Sequence, residues 1–406
     1  MKFKIDSILS LGGNLVIKLS GLIITLIIAR ILGNLEFGKF SLIKSTIVSW
    51  GLFSTLGQQY LVVQKIASCS NFELSLKEAQ KSFSIVLTIG LLCGLVFSPL
   101  LIWNSLKIDF AIIIISISIL IGILSWSLIN TVIGLHSGLE NYKKLLIINT
   151  IYAVLSTGFI IFLTLIYSLE GAVISLVWSN LIWLYFLMKK LPFRLSFSII
   201  KLKDLRNFDN ESKWVAWQEI SYSSLGWITI WFLSSIDYGE LGVYNVLIQI
   251  SSLVVIIPSM MRNVMLTYLG KSESSLEFKK YSLLGISYTL IIAITIVIII
   301  LVFKGYLFNY FGDSYKNLET LLKWGLIWAM INSVTNILSQ IIMAKNENRF
   351  LFKVKLFRDI GILIIFVISI YTFRLSGSFA LIISQSLFSL LFLLVMIKKI
   401  KKETWV

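Results

Sequence analysis

The sequence predicts an all-α membrane protein that crosses the bilayer many times. Of its 406 residues, 57% are hydrophobic, whereas soluble domains are about 45–50% apolar. Long apolar runs recur along the chain, for example "YTLIIAITIVIIILVF" at 288–303, and a run of this kind is long enough to cross a bilayer as a helix. Lysines and arginines cluster between the runs, which is typical of membrane-protein loops.

The apolar pattern predicts about twelve transmembrane helices. Their limits are 11–32, 41–62, 82–103, 110–134, 145–167, 171–188, 214–235, 241–261, 281–303, 318–342, 354–373 and 377–397. Most of the 36 lysines and arginines fall in loops on one side of these spans. Because basic loops stay in the cytoplasm, both termini are expected to be cytoplasmic.

A weak internal repeat predicts how the spans are organised. "EFGKFSLI" at 36–43 matches "ELGVYNVL" at 240–247, and "YSLEG" at 167–171 matches "FRLSG" at 373–377, at nearly the same offset. Each half contains six spans, so both halves have the same orientation. We therefore expect an N-terminal six-helix bundle at 1–188, a cytoplasmic linker at 189–213 and a C-terminal six-helix bundle at 214–406, around a central cavity.

Composition also excludes several classes of protein. The net charge of +16 is explained by basic loops facing an anionic leaflet, so nucleic acid is not an expected partner. One histidine and two separated cysteines cannot form a His/Cys metal site. No phosphate-binding loop motif is present, which excludes an ATPase motor in this chain. No cofactor and no enzymatic activity are expected.

Charges inside the spans are the most informative residues, because each is costly unless it faces protein or water. Lys18 lies in span 1 on one face with Asn14 and Thr25, at helical spacing. Arg30 ends span 1 and Lys44 begins span 2, so the three cations can line one wall. The alternative is that Lys18 snorkels inward while Arg30 and Lys44 snorkel outward to headgroups.

Two further spans carry polar faces. Span 7, "WVAWQEISYSSLGWITIWF", is unusually polar and holds Glu219, the clearest embedded carboxylate. Glu219 is interpreted either as an ion-coupling site or as an interfacial residue. The side chains predicted to face a wet cavity in spans 7 and 10 are Gln218, Tyr222, Trp328, Asn332 and Asn336.

Several stretches resemble one family in order along the chain. "ARILGNLEFGKFSLI" at 29–43 is similar to the end of span 1 in polysaccharide flippases, which carries an Ala-Arg-x-Leu-Gly stretch followed by a Phe-Gly or Tyr-Gly pair. "GLENYKKLLIINTI" resembles that family's loop between spans 4 and 5, "LGVYNV" its start of span 8, and "FGDSYKN" at 311–317 its outer loop before span 10. The family is that of the O-antigen and capsule repeat-unit flippases (Wzx type), in the multidrug, oligosaccharidyl-lipid and polysaccharide (MOP) exporter superfamily.

The resemblance implies export of an undecaprenyl-pyrophosphate-linked oligosaccharide across the bacterial inner membrane, by alternating access coupled to an ion gradient. It implies that Lys18, Lys44 and, more loosely, Arg262 hold the pyrophosphate, with Arg30 in the same cationic wall. At positions 18 and 44 this chain has lysine where relatives often have arginine. The lysine ammonium is a point charge and lacks the paired donors with which a guanidinium binds phosphate in a bidentate manner. It also implies the O-antigen polymerase and the chain-length regulator as partners. Asn14, Thr25 and the polar residues of spans 7 and 10 would then contact sugar.

Two alternatives stay open. A drug or metabolite cation antiporter of the same superfamily would typically need buried carboxylates, and few acids are embedded here. A membrane-embedded O-antigen polymerase or ligase usually has a large outer loop, and the predicted outer loops are short.

Overall fold

In the computed structural model, the described residues are 2–68, 72–105, 112–196, 198–199, 210–270, 274–345 and 347–402, and they contain helices but no strand. The helices are α1 (Lys2–Thr55), α2 (Gln58–Ser68), α3 (Phe72–Ser105), α4 (Ile112–Gly138), α5 (Tyr142–Lys189), α6 (Asn210–Ile236), α7 (Tyr238–Gly270), α8 (Ser275–Phe311), α9 (Leu318–Ala344), α10 (Asn348–Phe373) and α11 (Gly377–Lys402). A short 3₁₀ turn, Asp313–Tyr315, connects α8 to α9.

Helix α1 is a pair of helical limbs that fold back on each other, which we call the first hairpin. Its backbone breaks at Gly33, where φ is 72° and ψ is 174°, a region that is essentially restricted to glycine. The Lys44 Nζ atom donates a hydrogen bond to the Thr25 hydroxyl at 3.2 Å. In a straight helix these two residues would be about 28 Å apart, so the limbs run side by side.

Helix α5 forms a second hairpin in the same way. It breaks at Ser168, where φ is 48° and ψ is −125°. The Trp183 indole nitrogen donates to the Asn149 side-chain oxygen at 3.2 Å, although a straight helix would separate these residues by about 50 Å. Arg374, which the sequence repeat aligns with Ser168, also has a positive φ, of 52°.

The number of spans agrees with the prediction. Among the described residues, nine helices are long and apolar enough to cross a membrane. Two of these are the hairpin helices α1 and α5, each of which supplies two spanning limbs, and α6 corresponds to predicted span 7. The protein is therefore an all-α, multi-pass membrane protein with about twelve spans.

The limits of span 2 differ from the prediction of 41–62. The second limb of α1 starts after Gly33 and ends at Thr55, and Leu56 and Gly57 have positive φ angles of 46° and 74°. These two residues interrupt the helix before α2 begins at Gln58. The correction matters for Lys44, which the sequence placed near the outer end of its span.

The chain folds into two compact units. The first comprises Met1–Leu32 and Lys39–Ser235, and the second comprises Gly33–Gly38 and Ile236–Val406. In the first unit α4 packs on α2, α3 and α5 around a core that includes Phe83, Ile129 and Trp183. In the second, α9 packs on α7, α8 and α11 around a core that includes Ile341, Leu351 and Met396.

The predicted bundles at 1–188 and 214–406 stay a prediction; by its contacts, α6 lies in the first unit. The Trp227 indole nitrogen of α6 donates to the Thr46 hydroxyl at 2.8 Å, and its ring contacts the Trp50 ring at 5.3 Å between centroids. These contacts join α6 to the second limb of α1. The linker at 189–213 stays a prediction, since 197 and 200–209 lie outside the described residues.

The segment 33–38 belongs to the second unit because two glycines allow close backbone contact. A Cβ atom on Gly38 would collide with the Tyr238 carbonyl, and a Cβ atom on Gly242 would collide with the Asn34 carbonyl. The repeat aligns Gly38 with Gly242 and Asn34 with Tyr238, so the two contacts are reciprocal.

Candidate functional site

Lys44 lies in the middle of the second limb of α1. It stands ten residues after Asn34 and eleven before Thr55, which places it about 15 Å from either end. Its side chain is half-buried, and its hydrogen-bond acceptor Thr25 is buried. Snorkelling outward, which was an alternative for a residue at the end of a span, does not fit this position.

The remaining cations of the predicted wall are distributed along the same hairpin. Lys18 and Asn14 are exposed on the first limb, and Lys18 is seven residues from Thr25, or about 10 Å along the helix. Arg30 is exposed three residues before the break at Gly33. Of the residues predicted to line the cationic wall, the structure brings Lys44 and Thr25 into direct contact. The Arg262 side chain lies outside the described residues.

Helix α6 presents an aromatic face to the first hairpin. Trp227 is bonded to Thr46, and Trp50 stacks on Phe97 of α3 with 3.3 Å between ring centroids. Gln218 and Glu219 are half-buried, and Tyr222 is exposed. Sequence reasoning missed the role of Thr46 and Trp50, although their i, i+4 spacing places them on one helix face.

The polar face of α9 lies in the second unit. Trp328, Asn332 and Asn336 are half-buried, while the neighbouring Ser333 is buried and donates to the Val254 carbonyl of α7 at 3.1 Å. The serine therefore holds α9 to α7, and the two asparagines are on the more accessible part of the helix.

Sequence reasoning also missed an ion pair within α10. The Arg358 guanidinium bonds the Asp359 carboxylate at 2.7 Å, and it lies 5.0 Å from the centre of the Phe392 ring of α11. Only 16% and 14% of the two side chains are exposed. Asp359 is thus a further partly buried carboxylate within a predicted span, and the adjacent Arg-Asp pair in the sequence could have indicated it.

None of the described residues forms a group of three or more His, Cys, Asp and Glu side chains that could hold a metal ion. The functional chemistry visible here is that of embedded lysines, hydroxyls, amides and aromatic rings.

Solved structures of MOP-superfamily transporters share this fold. A multidrug resistance MATE family transporter of the MOP superfamily, in its inward-facing conformation, superposes with a TM-score of 0.66 at 14% identity, covering 98% of each chain. A multidrug resistance MATE family transporter of the MOP superfamily in an outward-facing conformation gives a TM-score of 0.66 at 15% identity, covering 98% of this chain and 96% of that one. A MOP superfamily transporter from Pyrococcus furiosus gives a TM-score of 0.66 at 16% identity, covering 97% of this chain and 94% of that one. That transporter is described as having a binding pocket of reverse polarity, which suggests a different function. The fold is that of MOP-superfamily transporters.

The family follows from the sequence itself. Residues 5–267 match the model of the family described as polysaccharide biosynthesis protein, and the chain belongs to this family. No curated protein sequence matches the chain. The chain is thus a member of a polysaccharide biosynthesis family with a fold that solved MOP-superfamily transporters share.

Proposed function

We propose that this chain is a flippase that moves undecaprenyl-pyrophosphate-linked O-antigen or capsule oligosaccharide across the bacterial inner membrane. The polysaccharide family supports the substrate class, and the MOP fold supports transport by alternating access. The O-antigen polymerase and the chain-length regulator belong to the proposal as partners that receive the exported units.

The position and surroundings of Lys44 carry the proposal. A lysine in the middle of a spanning limb is costly unless it faces protein or water. Its hydrogen-bond partner is a neutral hydroxyl, and among the described residues no carboxylate lies within ion-pair distance of it. The positive charge is therefore available to an anion, and a pyrophosphate is the anionic part of the proposed substrate.

Lys18 and Arg30 extend this cationic character along the same hairpin, and Arg262 is retained as a candidate from the family resemblance. Sugars need amides, hydroxyls and aromatic rings. Within the first unit these are supplied by Asn14, Thr25, Gln218 and Tyr222, and within the second by Trp328, Asn332 and Asn336. The polyprenyl tail stays in lipid.

Transport is proposed to be coupled to an ion gradient through Glu219, because a half-buried carboxylate can exchange a proton or bind a cation during the cycle. Replacing Glu219 with Gln should reduce the dependence of transport on the gradient. The matched control is Glu170→Gln, which removes an exposed carboxylate from the turn of the second hairpin. Full gradient dependence in Glu219→Gln would exclude this role.

The full chain in proteoliposomes tests the substrate class. Lipid-linked oligosaccharide with a labelled terminal sugar is placed in one leaflet, and its arrival in the other is followed by the access of a non-permeant glycosidase. We expect transfer that depends on the protein and on the pyrophosphate. Export of an organic cation dye, without transfer of the lipid, would instead identify a drug antiporter.

A further inference from the structure

The connection between α8 and α9 contains two adjoining cavities in the second unit. The larger, of about 590 Å³, is lined by Phe308, Asn309, Gly312, Tyr315, Lys316 and Glu319. The smaller, of about 190 Å³, shares Lys316 and adds Asn34, Asp237, Glu240, Ser314, Asn317 and Ser378. The larger cavity is within the range of about 300–1,000 Å³ that is typical of small-molecule sites. The connection includes the stretch "FGDSYKN", and the charge pattern predicts that it faces outward.

The walls of these cavities are held in place by short-range contacts. Tyr315 is buried, its ring is 5.2 Å from that of Phe311, and its backbone nitrogen bonds the Gly312 carbonyl at 3.2 Å. Burial also raises the pKa of the Tyr315 hydroxyl, so this group stays neutral. The Glu240 carboxylate accepts from the Ser378 backbone nitrogen at 2.7 Å. Fixed walls reduce the entropy lost when a ligand binds.

The lining groups are those that bind a polyhydroxylated ring. Amides, carboxylates and hydroxyls can exchange hydrogen bonds with sugar hydroxyls, and Phe308 supplies apolar surface for the C–H face of the ring. Asn317 stands at the position that caps α9, yet its side chain makes no capping bond.

The charge of the cavities disfavours anions. Glu319 lines the larger cavity, Asp237 and Glu240 line the smaller, and Lys316 is the one basic residue among the described lining residues. A phosphate would meet one carboxylate and one lysine in the larger cavity, and two carboxylates and the same lysine in the smaller one. A neutral sugar or an amino sugar meets no such repulsion.

We infer that these cavities form an outer saccharide site that takes a neutral or amino-substituted sugar unit of the exported oligosaccharide. The inference rests on the proposed function, since it names where the sugar portion binds on the outer side. It is separate from the cationic site at Lys44, which is proposed to hold the pyrophosphate.

The test uses the full chain in nanodiscs and saturation-transfer difference NMR. The probes are methyl galactoside, methyl N-acetylglucosaminide and methyl glucosaminide, and titration with inorganic phosphate serves as the anion arm. We expect saturable binding of at least one glycoside and no competition by phosphate. Asn309→Ala combined with Glu319→Ala should weaken that binding about tenfold, as expected for the loss of two hydrogen-bonding groups.

Glu277→Gln is the matched control and should leave the binding unchanged, because Glu277 is exposed near the start of α8, about 48 Å along the helix from Asn309. Asn317→Ala is a second variant, for use if the double variant does not fold. Absence of glycoside binding, equal binding by wild type and both variants, or displacement by phosphate would each overturn the inference. Failure of the proposed function can be distinguished from failure of this inference. In that case the chain would bind glycosides at the cavities but would transfer no lipid-linked oligosaccharide.

Discussion

The two hairpins of the first unit have the same architecture but different chemistry. The first is joined across its limbs by a charged donor, since Lys44 bonds the Thr25 hydroxyl. The second is joined by neutral groups: Trp183 bonds Asn149, Tyr152 bonds Asn180 at 3.3 Å, and the Tyr152 and Trp183 rings stack with 4.2 Å between centroids. Neutral, matched partners are sufficient to hold two limbs together in a membrane.

The difference teaches which hairpin serves structure and which serves function. A membrane protein that can join limbs with amides and indoles has no structural need for a lysine at the middle of a span, where its charge is costly. The second hairpin is therefore expected to determine stability and the first to determine transport. Substitutions in the two hairpins can test that division.

The largest effect is expected from Trp183→Ala in the second hairpin. Trp183 is buried in the core of the first unit, and its replacement removes a stacked ring and a hydrogen bond. The free energy of unfolding in mixed micelles should fall by about 3–5 kcal/mol, while transport per folded molecule is retained. Trp178→Ala is the control on the same helix, because 56% of Trp178 is exposed. A loss of transport in a folded Trp183→Ala protein would break the comparison.

The next effect is expected from Lys44→Gln in the first hairpin. A hydrogen bond to a charged group contributes about 1.5–3 kcal/mol, so transfer of lipid-linked oligosaccharide should fall by about 10- to 100-fold. The unfolding midpoint should not decrease, because a costly buried charge is removed. Lys77→Gln, at an exposed position of α3, is the control. Unchanged transfer by Lys44→Gln would contradict the assignment of Lys44 to the pyrophosphate.

A smaller effect is expected at the turns of the two hairpins. Gly33 has open space around its Cα atom, so Gly33→Ala tests backbone conformation alone and should cost about 1–3 kcal/mol. Ser168→Gly should be neutral or stabilising, because Ser168 already has a positive φ of 48° that glycine adopts freely. If Gly33→Ala left the unfolding midpoint as unchanged as Ser168→Gly, the backbone at residue 33 would have changed to a conformation that alanine adopts without strain. Thermal unfolding of the purified variants measures both.

Much of the fold could be predicted from the sequence, because apolar runs of spanning length and basic loops are direct consequences of the bilayer. The turn at Ser168 was predicted to within a residue or two, between spans ending at 167 and starting at 171. The limits of span 2 differ because Leu56 and Gly57 interrupt the helix. A glycine inside a transmembrane span does not by itself indicate such a break, since glycine is frequent in membrane helices.

The candidate site was less predictable than the fold, because its contacts depend on which helix faces pack against each other. Lys44 and Thr25 were both named from their spacing, but their hydrogen bond depends on where the chain turns at Gly33. The pairing of Trp227 with Thr46 was not predicted, since the repeat assigned α6 to the other half of the chain. The bond between Arg358 and Asp359 was not predicted either.

The smallest effect is expected from Thr25→Val, which tests whether the first hairpin positions its lysine. Valine keeps the branched shape of threonine and removes the hydroxyl that accepts from Lys44. A hydrogen bond to a charged group contributes about 1.5–3 kcal/mol, and part of this is recovered because the Lys44 ammonium can bond water or the anion instead. Transport should therefore fall only about 2- to 10-fold, and Thr25→Ser should restore it because serine keeps an acceptor. If Thr25 only joined the limbs, Thr25→Val would lower the unfolding midpoint and leave the transport rate of the folded protein unchanged. A lower rate at an unchanged midpoint is the result expected if the hydroxyl orients the lysine toward an anion.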